Sequence, residues 1–345
     1  MTGERRQLVR FLFLQVDPAW RRLDAQTQIK HKEQFGATLN GFHQKLLLRT
    51  YSTMGTRGDC DILLWHAAET LETLQALETA VFSTALGGYL RVAYSYMGMT
   101  KKSIYEFPDN SAGEDRSVVR PADNKYLFVY PFVKTRGWWS LSFEERQDAM
   151  TEHVTIGRKY PDVRLNTTYS FGLDDQEFIV AFEGDDPAEF LDLVMELRSS
   201  VASRYTERDT PVFTGIQMSL WDMLDALGGS SMTARPRQAH GTSGGMTVVA
   251  RVSEVGPGTS KRVYLGSEAI ALFNVNGKVY AVNDRCTHGR ASLSEGRVDP
   301  ATCILRCPWH GGEFEIATGK PVASPVKVPI KTYDVEVRGD EILVG

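Results

Sequence analysis

Apolar positions in the first 230 residues alternate between two periods, and the alternation occurs twice. DILLW (61–65) and EFIVAF (177–182) are short apolar runs rich in β-formers and predict strands. After each comes a stripe at helical spacing: Leu71, Leu74, Leu77 and Val81, then Phe190, Leu193, Val194 and Leu197. Residues 11–23 resemble 127–141, and 59–90 resemble 174–205. Asp186-Pro187-Ala188-Glu189 and Ser142-Phe143-Glu144-Glu145 read as helix starts with capping-box spacing. Each half therefore reads strand, helix, strand, strand, helix. The prediction is two stacked ferredoxin-like α+β halves.

The last 99 residues change character. VVARV, KRVYL, AIALFNV, VYAV, DVEV and EILV alternate with turn residues, and no helical period is present. Asn276-Gly277 between two such runs is a hairpin signal. A small all-β domain follows. Between the two parts, 229–246 is Gly/Ser-rich and almost without large apolar residues, which predicts a flexible linker spanning about 20–25 Å. The expected domains are 1–228 and 247–345, joined by 229–246.

Composition excludes several classes. No run of about 18 apolar residues exists, so no membrane helix is expected. The first apolar stretch is cut by Asp17 and Pro18 and does not read as a signal or transit peptide, so a cytoplasmic location is expected. A net charge of −4 argues against non-specific nucleic-acid binding. Three of the four cysteines, Cys286, Cys303 and Cys307, crowd together near His288 and His310, which points to metal rather than disulfides.

Cys286-Thr-His288 and Cys307-Pro-Trp-His310 supply two thiols and two imidazoles in paired short spacings. Zinc accepts such a set. However, C-x-H followed by C-x-x-H, each in a Gly-containing loop of a β domain, resembles the Rieske ferredoxins, and the resemblance continues through residue 337. It implies a [2Fe–2S] cluster with the thiolates on one iron and the imidazoles on the other. Cys303 has no partner in this pattern, since Gly289 stands where a second extra cysteine would be, and it reads as a small buried strand residue. A cluster that passes single electrons implies an electron donor and something downstream.

In the larger part, His153 shares a helix face with Ala149, Met150 and Ile156, just after Trp138 and Trp139. From the residues alone, a lone His on an apolar stripe is more often a satisfied core residue than a ligand. Of the other histidines, His31, His43 and His66 are unassigned and His240 falls in the linker. Residues 130–183 (YPFVKTRGWWSL…FIVAFE) and 197–215 (LRSSVASRYTERDTPVFTG) resemble the chlorite dismutase family, which includes coproheme decarboxylases. The resemblance implies a dimeric α+β barrel, usually in a pentamer, and haem or Fe-coproporphyrin III as the bound group. It places the proximal iron ligand on His153, propionate-side residues on Tyr130 and Lys134, and a porphyrin-packing residue on Trp139. The arginine that chlorite dismutases set above the iron falls on Leu165, with Arg164 facing the other way if the segment is a strand. The glutamate near their proximal histidine falls on Val201. Both departures disfavour chlorite chemistry.

Tyr130-Pro131-Phe132-Val133-Lys134 matches the Tyr-Pro-x-x-Lys/Arg string of coproheme decarboxylases. The implied function is oxidative decarboxylation of coproheme to haem b with peroxide or O2. Tyr130 would be the residue oxidised, and Lys134 would anchor a carboxylate or relay protons. The Rieske domain would supply electrons. A first rival keeps haem b as a fixed cofactor of a Rieske-fed peroxidase or small-oxidant reductase. A second is a non-enzymatic haem or redox sensor or carrier.

Overall fold

The computed structural model describes residues 6–42, 45–105, 118–122, 124–232, 246–265, 268–289 and 291–345. His43, His240 and most of the expected linker lie outside the described residues. The chain forms two compact units, Met1–Trp20 with Lys45–Gln217, and Arg21–Gln44 with Met218–Gly345. Among the described residues no helix is long and apolar enough to cross a membrane.

The first repeat runs β1 (Leu8–Val16), α1 (Ala25–Asn40), β2 (Leu47–Ser52), β3 (Ile62–Ala68), α2 (Leu71–Phe82) and β4 (Leu90–Met99). The second runs β5 (Tyr126–Lys134), α3 (Arg136–Ser140), α4 (Phe143–Gly157), β6 (Arg164–Tyr169), β7 (Phe178–Gly184), α5 (Pro187–Leu197), β8 (Thr206–Arg208) and β9 (Phe213–Gln217). Each half thus closes with a strand, β4 or β9, beyond the five elements expected.

In the first unit the antiparallel order β7-β6-β4-β1-β3-β2-β9-β5 closes on itself through β5–β7 pairing. Joins between halves are β4–β6 at Met99↔Tyr169 and β2–β9 at Tyr51↔Gln217. The result is an eight-stranded barrel filled by Val9, Phe11, Phe13, Trp65, Leu127, Val129, Ile179, Ala181 and Phe213. Strand side chains alternate, so Phe128, Tyr130, Leu165, Val180 and Phe182 face outward. There they pack with Ile156 of α4 and Phe190 and Leu193 of α5. Phe128 and Phe190 stack at 4.0 Å. The expected capping box starts α4: Ser142 Oγ accepts from Glu145 N, and Glu145 Oε2 accepts from Ser142 N.

The second unit contains α1, α6 (Leu220–Ala226) and the all-β part. Its strands are β10 (Thr247–Arg251), β11 (Ser260–Leu265), β12 (Glu268–Val275), β13 (Lys278–Asn283), β14 (Arg297–Asp299), β15 (Ile304–Arg306), β16 (Glu313–Glu315), β17 (Pro321–Ala323), β18 (Thr332–Tyr333), β19 (Val335–Arg338) and β20 (Glu341–Val344). They form sheets β10-β20-β19, β11-β12-β13-β18 and β14-β15-β16-β17. Asn276 and Gly277 both take positive φ (52° and 85°), the backbone of the expected tight hairpin between β12 and β13. Cys303 departs from expectation. It lies in the turn between β14 and β15 with φ 56° and is only partly buried, because its N–H closes that turn on Asp299 O at 2.8 Å.

Candidate functional sites in the two units

In the first unit the site is built between the outward face of β5–β7 and helix α4. Tyr130 and Lys134 lie on β5, with Lys134 at its end. His153 projects from α4 within the stripe Ala149, Met150, Ile156. Leu165 of β6 sits in the same apolar cluster as Tyr130 and Val180. Arg164 is exposed and pairs across strands with Glu183, on the other face. Trp139 stacks on Phe178 of β7 at 6.5 Å, and Phe171 meets its edge at 5.3 Å.

Burial sets the electrostatics. It pushes the His153 imidazole down to about 4, the charge of Lys134 adds to the shift, and Glu152 opposes it. His153 Nδ1 is buried without a protein hydrogen-bond partner. A neutral imidazole is the form that ligates a metal, and Nδ1 has no protein bond to give up. Burial also brings Lys134 down to about 8, opposed by Glu177. Lys134 Nζ donates to Ala202 O at 2.6 Å and lies 4.5 Å over the Trp138 ring. The Tyr130 hydroxyl is held well above its ordinary value by burial and then by Asp209, with Arg198 acting against them. Arg198 and Asp209 form an ion pair.

Glu177 was not singled out in the sequence. Its Oε1 accepts from Trp139 Nε1 and its Oε2 from Lys134 N, both at 2.9 Å. A carboxylate just ahead of an apolar strand carries no distinctive local signal. Val201, where the resemblance expects a glutamate, is exposed and gives its N–H to Glu152 Oε2 at 2.8 Å.

In the second unit Cys286 and Cys307 are buried side by side, within a core that includes Leu293, Leu305 and Phe314. The contact with Cys286 and burial both push the Cys307 thiol up, while the N–H groups of Trp309 and His310 point at it and oppose the shift. The Cys307 thiol, held up in this way, keeps its proton unless a metal replaces it. The His288 and His310 rings lie 4.9 Å apart, with His288 exposed and His310 partly so. The four residues form like pairs, thiols inside and imidazoles toward solvent. That donor set fits a cluster in which each iron takes one pair.

The chlorite dismutase family profile matches residues 28–218, and the Rieske [2Fe-2S] domain profile matches 245–334. The coproheme decarboxylase of Mycolicibacterium smegmatis is 32% identical over 208 residues, 59% of this chain and 84% of that protein. Ferredoxin CarAc of Metapseudomonas resinovorans is 43% identical over 98 residues, 28% of this chain and 90% of that protein. Among solved structures, a mutant chlorite dismutase from Candidatus Nitrospira defluvii superposes with a TM-score of 0.59 at 26% identity, covering 64% of this chain and 94% of that one. The chain belongs to the chlorite dismutase family and carries a Rieske [2Fe–2S] domain after the family segment.

Proposed function

We propose that the chain decarboxylates Fe-coproporphyrin III oxidatively to haem b, with the Rieske domain supplying electrons. The observation that carries this reading is the shared outward face of Tyr130 and Leu165, a protonated phenol in an apolar cluster with no cation at the Leu165 position. Chlorite chemistry needs a positive charge there to hold an oxyanion. The 32% identity to a coproheme decarboxylase supports the same reading.

His153 would hold the porphyrin iron, Trp139 would pack beside the ring, and Cys286, Cys307, His288 and His310 would hold the cluster. The bound iron porphyrin supplies oxidising power drawn from peroxide or O2. Tyr130 keeps its Oη proton at neutral pH, so the phenol can give up a hydrogen and regain one from a propionate side chain. Lys134, with its ammonium brought to about 8, can hold a carboxylate or pass a proton near neutral pH. The apolar side chains around Tyr130 exclude water from that exchange.

The proposed setting is cytoplasmic, with an unidentified electron donor to the cluster. Assembly as a homo-oligomer, a pentamer by resemblance, is supported by the exposed apolar side chains Leu191 and Met195 on α5. Light scattering tests it.

The test of function is anaerobic loading with Fe-coproporphyrin III, then peroxide, and separately reduced cluster with O2, followed by mass analysis of the porphyrin. Loss of two CO2 units, abolished in Tyr130→Phe, is expected. Unchanged coproheme, or haem b retained from the start, favours the second reading. That reading is a haem b peroxidase or small-oxidant reductase fed by the Rieske centre, and the presence of an electron-transfer domain in the same chain favours it.

A further inference from the structure

The second unit contains a seam of contacts that the cluster ligands do not use. The backbone N–H of Leu220, the first residue of α6, donates to Glu295 Oε1 at 2.9 Å. Glu295 is buried, and a carboxyl left there without a partner is unfavourable. One residue earlier, the Ser294 carbonyl accepts from Asn40 Nδ2 at the end of α1 (3.3 Å) and from Ser260 Oγ of β11 (2.6 Å). Arg262 of β11 bridges Asp222 of α6 and Asp284, at 3.1 Å each. Asp284 accepts the Ser294 N–H at 2.7 Å and the Ser292 hydroxyl. Cys286 follows two residues later.

The two helices are also fastened to each other. Lys32 of α1, fully buried, reaches Asp225 Oδ1 at 3.3 Å and Ser230 O at 2.9 Å. Gly36 lies directly against the Trp221 ring. The start of the expected linker joins them. Ser230 N donates to Gln28 Oε1 at 2.6 Å, and Met232 N and Ser231 Oγ donate to Asp225 at 2.9 Å each. By sequence, Gln28, Lys32, Gly36 and Asn40 of α1 lie within the stretch that matches the chlorite dismutase family, whereas Ser260, Arg262, Asp284, Ser294 and Glu295 lie within the Rieske stretch.

We propose that the α1–α6 pair is the seat of the Rieske domain and that Glu295 is the positioning residue that locks it there. The domain then stays docked when the chain between 232 and 246 is cut. A domain held only by a tether would separate on cleavage, and its effective concentration would depend on tether length.

The experiment places a specific protease site within 233–245 of the full holo-chain, cleaves it, and applies gel filtration at low micromolar concentration. The fragment starting near 246 is expected to co-elute with the rest and keep its cluster absorption. Leu220→Pro removes the donor at a first-turn position that tolerates proline, and Leu220→Ala controls for the lost side chain. The proline variant should release the fragment about tenfold more readily than the alanine variant, the scale of one buried hydrogen bond. Glu295→Gln keeps an acceptor and should stay docked, whereas Glu295→Ala should not.

Separation of the wild-type fragment overturns the proposal, as does equal release from the two Leu220 variants. The Leu220 pair lies outside the Rieske stretch, so it decides even where Glu295→Ala loses the cluster. A second measurement lengthens 233–245 with Gly and Ser and follows porphyrin reduction by the reduced cluster. This arm rests on the proposed electron transfer. An unchanged rate supports docking, and a rate falling with length overturns it. Absence of any porphyrin reduction counts against the electron-transfer reading, while co-elution still decides the docking.

Discussion

Trp139 donates its indole N–H to Glu177 Oε1 at 2.9 Å, and the other carboxylate oxygen takes the backbone N–H at Lys134. One side chain therefore fixes both the aromatic wall and the end of the strand that carries Tyr130. Glu177→Ala should cost about 1–3 kcal/mol of stability by leaving both donors unpaired. It should also alter the emission of Trp139, with Glu177→Gln milder because one acceptor remains. Loss of the Glu177 charge removes support for the Lys134 ammonium, so Lys134 should titrate below about 8. The alkaline limb of the pH–rate profile would then move to lower pH. An unmoved limb would rule out Lys134 as the group it reports.

Leu165 and Arg164 offer a direct check on strand register. Leu165 sits in the cluster with Tyr130, while Arg164 faces the side of Glu183. Leu165→Arg should weaken porphyrin binding or stability by about 1–3 kcal/mol, since it carries a charge into apolar surroundings. Arg164→Gln should leave porphyrin titrations unchanged. Loss of binding in Arg164→Gln alone would show that β6 runs in the opposite register.

Periodicity carried most of the fold. β3, β7, α2 and α5 follow their apolar spacing, and β12–β13 follows Asn276-Gly277. The strand β4 was missed because its residues are mostly half-buried, with only Gly98 fully covered, so no clean alternation shows. The three-residue strands β14–β17 are too short to display a period. The candidate cluster ligands, Cys286 with His288 and Cys307 with His310, could be picked out because each pair is local in sequence. Glu177 with Trp139 and Glu295 with Leu220 were not, since their partners lie 38 and 75 residues away and neither carboxylate has a local signature. Residue type alone favoured a core role for His153. Its lowered pKa and orphaned Nδ1 are properties of the folded surroundings.

Gly36 sits inside α1, where alanine is ordinarily preferred by about 1 kcal/mol. Here an added Cβ would come within 2.2 Å of the Trp221 ring, a rigid group that must move as a whole. Overpacking of this kind costs about 1–3 kcal/mol, so Gly36→Ala should lower the melting temperature. In a Trp221→Ala background the clash is gone, and the same substitution should become stabilising. A sign that does not reverse between the two backgrounds would show that the ring is not the cause.

Glu183 is buried inside the barrel, and burial pushes its carboxyl up to about 7. Ala122 N–H, the charges of Arg49 and Arg164, and Asn166 all work against the shift. The unfolded chain loses this proton near 4.5, while the folded chain keeps it until about 7. Below 4.5 both states are protonated and the group is neutral toward stability. Between 4.5 and 7 the folded state holds the extra proton, so stability falls as pH rises, by a total on the order of 3 kcal/mol. Above 7 both states are ionised and the loss is complete. Glu183→Gln keeps the shape and an acceptor but cannot ionise. It should match wild type near pH 4.5 and exceed it progressively up to pH 7, read as the difference in urea midpoints between the two proteins. A difference that stays constant across that range would mean that Glu183 does not titrate between the folded and unfolded states as its burial requires.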